Sequence, residues 1–530
     1  MKRLREFGRP GDDMKKNADP ISSPQKGKPR RLLTPRILWP VILLCVLVLA
    51  AALVLPGAFK GATALPAPGA MLTTARQGLD EITITAEFDP AASKLYAKQM
   101  LRLKNRTDAA LADVVLRTYA NAFSAEEYSP AAIEDIYDSC YPGGFSPGSI
   151  GFSQALINGG DADYVFSDDA KTVQRITVPN GLQPGEWIEI SLEYTITIPE
   201  CFYRFGHASG IYTLGNALPI PSVWEDGAWR TEDYFPLGDP FYSDCANYHV
   251  TVTTPAGYQC AGSAYGQRKE QNGKWVYDFD APAVRDFALS ISDKFSVAQE
   301  PVGNVLVSSY ALSKGAAEAA LKYGKQALQS FEKRYGEYPY QHLALTTVDF
   351  PFGGMEYPGI VLLQRTLYED KGSQSLELTA VHEVAHQWWY AVVGSDEYYQ
   401  SWQDEALAEF SLLDYTQDYY GQDARESLAY SRFETAMRAT IPQGVTPGSP
   451  IDYFGNMSEY SLVVYRRGAS LMVALNTALG DKFYDFLQAY YKKYAFRIAT
   501  RDDFEKTLKE VSGQDWSALL TDYLDTYIVN

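Results

Sequence analysis

Five histidines occur in the 530 residues, and two of them stand four apart in His382-Glu383-Val384-Ala385-His386. The run before them, SLELTAV (375–381), favours a helix, and on a helix residues i and i+4 project from one face about 40° apart. Both imidazoles then reach one ion. Zinc binds imidazole at about 2.0–2.1 Å and lowers the pKa of its water to about 7. Glu383, beside the first histidine, stands where a carboxylate takes a proton from such a water. A bare pair of this kind also fits two surface histidines next to a solvated glutamate, so a metal site needs a third ligand. The segment WQDEALAEF (402–410) offers Asp404, Glu405 and Glu409. Glu405 lies 19 residues after His386, in a second helical run that an antiparallel turn brings against the first. Chemistry admits all three carboxylates, and spacing alone does not choose among them.

The elements that must hold these side chains lie in the second half of the chain. SKGAAEAALKYGKQALQSFEKRYG (313–336) combines helix formers with apolar spacings of three and four and ends at Gly336. LALTTVDF (343–350) reads as a strand leading into a glycine-rich turn, and helices are expected over 374–393, 402–420, 460–478, 481–494 and 501–511. Residues 76–295 read differently. Ile82–Phe88, Trp187–Ile198 and Tyr248–Thr253 are β-branched with period-two character and end near Pro, Gly or Asp, as strands do. The expectation is a β-rich saddle or sandwich over 76–304, followed by a mainly helical α/β domain over 305–530.

Composition limits the partners. Net charge is −18 with 46% hydrophobic and 21% charged residues, which excludes wholesale disorder and argues against nucleic acid. The charge is unevenly spread: residues 1–36 carry +7, residues 37–59 carry none, and residues 60–530 carry −25. The uncharged stretch ILWPVILLCVLVLAAALVLPGAF (37–59) is 23 residues, enough to cross a hydrocarbon layer of about 30 Å as a transmembrane helix. The basic segment 1–36 then stays cytoplasmic, and residues 60–75 form a tether to an acidic domain outside the cell membrane. A cleaved signal peptide ending at Ala62-Thr63-Ala64 is the alternative, although signal cores usually run only about 7–15 residues. Cys140, Cys201, Cys245 and Cys260 allow two bridges in an oxidising space, or four isolated thiols.

The arrangement His382-Glu383-x-x-His386, 18 residues, Glu405 resembles the zinc signature of the M1 aminopeptidase family, gluzincin metallopeptidases with a thermolysin-like catalytic fold. HEVAHQWW and SWQDEALAEF are similar to that family's HExxHQWFG and WLNEGFA stretches, and YFPLGDPFYSDCANYHVTVTTP (234–255) more faintly resembles its FPCFDEP segment. The resemblance implies one zinc held by His382, His386 and Glu405, with Glu383 as base. Gly353-Gly354-Met355-Glu356-Tyr357 resembles the family's GxMEN motif, which implies that these residues bind substrate and that Glu356 receives its free α-ammonium group. Tyr357 stands where the motif has Asn. Val464-Tyr465-Arg466-Arg467-Gly468-Ala469 resembles YxKGA, which implies that Tyr465 donates to the oxyanion; Tyr460 is a rival, and only the flanking Arg-Gly-Ala selects Tyr465. Glu409, one turn beyond Glu405, is placed to orient a histidine or to lie solvated.

Residues 499–530 resemble the end of the family's catalytic domain, so a short two-domain, membrane-anchored form is expected, its site more open than in longer relatives or covered by a partner. The family's pocket-lining Gln has only Asn216, in LGNALP, as a weak counterpart. The sum is a zinc aminopeptidase acting on peptides. An endopeptidase on the same core, should Tyr357 disable amine anchoring, and a non-catalytic peptide-binding ectodomain are the rivals.

Overall fold

The computed structural model describes Leu65 and residues 68–369, 374–441 and 444–526. The basic segment 1–36 and the expected membrane helix 37–59 lie outside the described residues. Among the described residues no helix is long and apolar enough to cross a membrane. The end of the expected tether is not loose chain: Ala70–Ala75 is a short helix whose Leu72 is 1% exposed and packs into the main core.

The β-rich part is built on an eight-stranded sheet. Its central strands run in the order Lys274–Val284, Ala246–Pro255, Asp80–Asp89, Lys94–Lys104, Trp187–Thr197 and Ser149–Ile157. Side chains along Lys94–Lys104 alternate between buried and exposed, which is the period-two pattern of a sheet with one face on a core. Two four-stranded sheets complete the layer, one containing Phe205–Ala208 and Ile211–Leu214, the other Leu111–Arg117 and Val173–Leu182. All four described cysteines are buried free thiols.

A five-stranded sheet opens the second part, in the order Ser296–Val302, Val305–Ala311, His342–Val348, Ile360–Gln364, Gly354–Met355. Its first two strands form a hairpin that turns at Gly303, so the edge strand Ser296–Val302 joins this sheet although it precedes the expected boundary at 304/305. The helix Lys314–Tyr335 begins where expected, with the Ser313 side chain accepting from Ala316 N, and stops at Gly336, whose φ of 128° favours glycine.

Behind the sheet, Ser375–Ala385 lies between Lys314–Tyr335 and Trp402–Tyr420. Every residue from Trp402 to Thr416 is buried, so its acidic side chains must be partnered. Asp414 accepts from Tyr335, Arg425 and Tyr484, at 2.7 Å each.

Two helical expectations are corrected. The helix expected over 374–393 ends at Ala385, because the chain after His386 turns to bury Trp388 and Trp389 against Tyr335, and Tyr390 takes a φ of 150°. The helix expected over 460–478 is interrupted: Ser461–Arg467 is wound as a π-helix between Met457–Tyr460 and Gly468–Leu479. The helices Gln422–Ala429 and Ser517–Leu524 were not anticipated.

Candidate metal centre and substrate cleft

The zinc-type ligand set assembles from the ends of two helices. His382 Nε2 and His386 Nε2 are 3.2 Å apart, and Glu405 Oε2 lies 3.2 Å from the first and 3.4 Å from the second. Ligand atoms at two corners of a zinc tetrahedron with bonds of about 2.0–2.1 Å are about 3.3–3.4 Å apart, so this triangle has the dimensions that a zinc ion requires. The outer ring nitrogens are engaged elsewhere. His386 Nδ1 donates to the Trp389 carbonyl at 3.1 Å, and His382 Nδ1 lies 3.2 Å from Glu409 Oε2. Each histidine therefore turns the lone pair of its Nε2 toward one point.

The geometry also chooses among the three carboxylates that spacing left open. Asp404 bends back to accept from the Glu405 backbone N–H at 2.7 Å. Glu409 sits against the outer nitrogen of His382, and Arg432 Nε donates to it at 2.6 Å. Only Glu405 faces the point where the two Nε2 atoms meet. Burial works against its charge, but His386 and His382 outweigh it and hold the carboxyl down at about 2.

Glu383 projects into the same cleft, a cavity of about 510 Å³ also lined by Gly353, Gly354, Met355, Glu356 and Tyr465. Burial pushes its carboxyl up to about 7, against the pull of His382 and His386. The two glycines of the Gly353-Gly354 pair are not equivalent. A Cβ on Gly354 would stand 2.5 Å from Glu383 Oε1, so the edge strand passes this close only because it carries no side chain there. Glu356 is 4% exposed, and burial followed by the neighbouring Asp239 raises its pKa well above the carboxylate range.

Tyr465 lies on the π-wound segment, with its ring stacked over His382 at 5.6 Å and 12° and its hydroxyl directed at Glu405. Its rival Tyr460 is buried and packs edge-on against it, outside the residues that line the cleft. The Arg-Gly-Ala that follows has structural work: Arg467 donates to the carbonyls of Ala436 and Ala439, and a Cβ on Gly468 would stand 3.0 Å from that of Ala406. Glycine there lets two helices approach and sets Tyr465 beside the metal corner.

Sequence reading missed Arg204 and Asp239. Arg204 is fully buried, pairs with Asp239 at 2.5 Å and touches Met355 Sδ at 3.4 Å. The carboxylate oxygens of Asp239, Glu356 and Glu405 lie within 4.8 Å of one another. Asp239 belongs to the FPLGDPF stretch already noted for resemblance, which was its one available signal; nothing in sequence spacing ties Arg204 to the site. Tyr357 is 2% exposed and points away from the cleft, its hydroxyl donating to Asn216 Oδ1 at 2.5 Å.

Comparison with known proteins agrees with this geometry. Residues 319–523 match the Peptidase family M1 domain. The chain is 27% identical over 48% of its length to a probable aminopeptidase 2 of Sulfurisphaera tokodaii, covering 35% of that protein. It is 25% identical over 70% of its length to a leucyl aminopeptidase of Saccharolobus solfataricus, covering 48% of it. The chain thus spans half or less of these relatives. Its fold is similar to the crystal structure of an M1 zinc metallopeptidase from Deinococcus radiodurans, with TM-score 0.60 and 18% identity over 85% of this chain and 94% of that one. A two-domain M1 zinc metallopeptidase bound to L-tryptophan gives TM-score 0.62 at 17% identity, over 89% and 98% of the two chains. Residues 319–523 thus match the Peptidase family M1 domain, and the ligand triangle of His382, His386 and Glu405 lies within that stretch.

Proposed function

We propose that this protein is a zinc-dependent aminopeptidase that removes N-terminal residues from peptides, on a thermolysin-like core. The observation that carries the reading is the triangle of His382, His386 and Glu405 ligand atoms, with the Glu383 and Glu356 carboxylates opening onto the same cleft. One zinc ion held there would supply Lewis-acid polarisation of the scissile carbonyl.

The remaining steps belong to side chains of this chain. Glu383, with a pKa near neutrality, takes the proton of the attacking water and passes it to the leaving amine. Tyr465 keeps its phenolic proton, since burial pushes its pKa well up, and donates it as a hydrogen bond to the developing oxyanion. Glu356 takes the substrate ammonium. A buried carboxylate with a raised pKa regains its charge when a cation arrives, so it favours a free N-terminus over a blocked one. Met355 and the backbone of Gly353 and Gly354 form the wall along which the first residues of the peptide lie. Support comes from relatives with aminopeptidase names and from a related structure described with a Tyr-Ser-Ala substrate.

The location belongs to the same proposal: an anchor at 37–59 with the acidic domain outside the membrane. Its charge of −25 after residue 59 favours approach of cationic peptides, and added salt removes that advantage. The test of function is turnover of an aminoacyl reporter and of the same peptide with its N-terminus acetylated, by wild type and Glu383→Gln. Hydrolysis of the free-amine substrate alone, lost in Glu383→Gln, is expected. Equal cleavage of the acetylated peptide would make the protein an endopeptidase, and equal activity in both proteins would remove Glu383 from the chemistry.

A further inference from the structure

We propose that Tyr357 is a positioning residue. Its hydroxyl ties the loop that carries Glu356 to the β-rich part of the molecule through Asn216 and Asp286, and so sets where the substrate amine is held. The inference rests on the reading of Glu356 as the partner of that amine.

The chain of contacts is continuous and buried. Tyr357 Oη donates to Asn216 Oδ1 at 2.5 Å, Asn216 Nδ2 donates to Asp286 Oδ2 at 2.8 Å, and Phe287 N–H donates to Asp286 Oδ1 at 2.6 Å. With its oxygen on the phenol and its nitrogen on the carboxylate, the Asn216 amide has one orientation. The residues around it are shaped for the ring. Asn216 takes a φ of 51°, a left-handed conformation that Asn tolerates, and a Cβ on Gly215 would overlap the Tyr357 hydroxyl. An Asn at position 357 ends too near the backbone to span the distance that a phenol covers.

The opposite side of the loop is held from the metal helix. Gln387, next to His386, donates from Nε2 to the Tyr357 carbonyl at 3.2 Å and the Glu356 carbonyl at 3.4 Å, and accepts from Gly359 N–H at 2.8 Å. Glu356 thus sits on a backbone clamped at one end to the ligand helix and at the other, through Tyr357, to the β sheets. Small displacements of a substrate-binding carboxylate weaken orientation more than they weaken folding.

The test is steady-state kinetics of the zinc-loaded protein on an aminoacyl reporter with a free amine and on its N-acetylated counterpart. The proteins compared are wild type, Tyr357→Phe, Asn216→Ala and the double variant. Tyr357→Phe keeps the ring and loses only the hydroxyl. It is expected to raise KM for the free-amine substrate about tenfold while kcat changes less than about threefold, and to narrow the preference for a free over an acetylated N-terminus. Asn216→Ala should do the same, and the double variant should be no worse than the poorer single, because both cut one chain. Unchanged KM in Tyr357→Phe, a fall in kcat with KM intact, or additive effects in the double variant would overturn the proposal. Should Tyr357→Phe not fold, Asn216→Ala alone decides by the same split. Equal cleavage of both substrates by wild type would instead overturn the reading of Glu356, and the inference with it.

Discussion

The metal corner and the pocket around Glu356 share one cleft, yet they meet the cost of buried charge in opposite ways. In the corner, the anion comes with its own partners. Glu405 is held ionised by His386 and His382, and Glu409 stays low in pKa between His382 and Arg432 although burial opposes it. In the pocket, Glu356 stands beside Asp239 with its pKa driven up by burial, and Arg204 is spent on Asp239. The corner is therefore preorganised, whereas in the pocket burial opposes the charge on Glu356, which a cation would favour. The difference fits the two proposed roles of these carboxylates: a fixed site for a divalent metal, and a responsive one for an ammonium group.

The largest effect expected from this division comes from Glu383, the proposed base, which lines the cleft that the two regions share. Glu383→Gln should lower kcat for an aminoacyl reporter by about 10²–10⁴ while zinc content, measured by elemental analysis, stays at the wild-type level. Loss of the metal along with activity would mean that Glu383 serves the corner and not the reaction. Tyr465→Phe follows, with a fall of about 10²–10³ in kcat and little change in KM, since the donor acts on a charge absent from the ground state. A rise in KM alone would move Tyr465 from the corner to the binding pocket. Gly354→Ala sharpens the boundary between the regions: a methyl beside Glu383 should cost about tenfold or more in kcat with zinc retained.

The smallest effect lies outside both regions and separates fold from site. His342 is buried in the strand His342–Val348, its Nε2 3.0 Å from Ser308 Oγ, and burial lowers its pKa to about 3. Between the unfolded value of about 6.5 and that pH, the unfolded chain binds a proton that the folded chain refuses. Stability should fall on acidification through this window, by at most about 1.4 kcal/mol per pH unit from this group. In His342→Gln the drop in Tm between pH 7 and pH 5 should be smaller than in wild type; an equal drop would assign the acid sensitivity to the carboxylates of the cleft.

The corner was legible in the sequence because its residues are close in the chain and fixed by one helical period. His382 and His386 need only a regular helix, whereas Glu405 was chosen over Asp404 and Glu409 through resemblance, since a neighbouring helix offers all three carboxylates. The pocket was legible in part. Glu356 and Tyr465 were reached through resemblance, but Arg204, Asp239 and Asp286 come near them only through sheets that pair residues far apart in sequence, and Asn216, expected to line the pocket, lies outside it and accepts from Tyr357. Hydrophobic periodicity also found the helices Lys314–Tyr335 and Trp402–Tyr420 to within a residue or two. It failed at 386–393, where two buried tryptophans override helix propensity, and at Ser461–Arg467, where one extra residue per turn leaves no mark in composition. The hairpin at 296–311 shows the same limit, since a turn at Gly303 reads alike whether it joins two domains or two strands of one sheet.

The most direct measurement is zinc stoichiometry and zinc K-edge absorption on the metal-loaded protein, in wild type, Glu405→Ala and Asp404→Asn. One zinc per chain with a shell containing two imidazoles and a carboxylate, lost in Glu405→Ala and kept in Asp404→Asn, is the predicted result. Zinc bound by Glu405→Ala with wild-type stoichiometry and an unchanged shell would contradict the account at its centre.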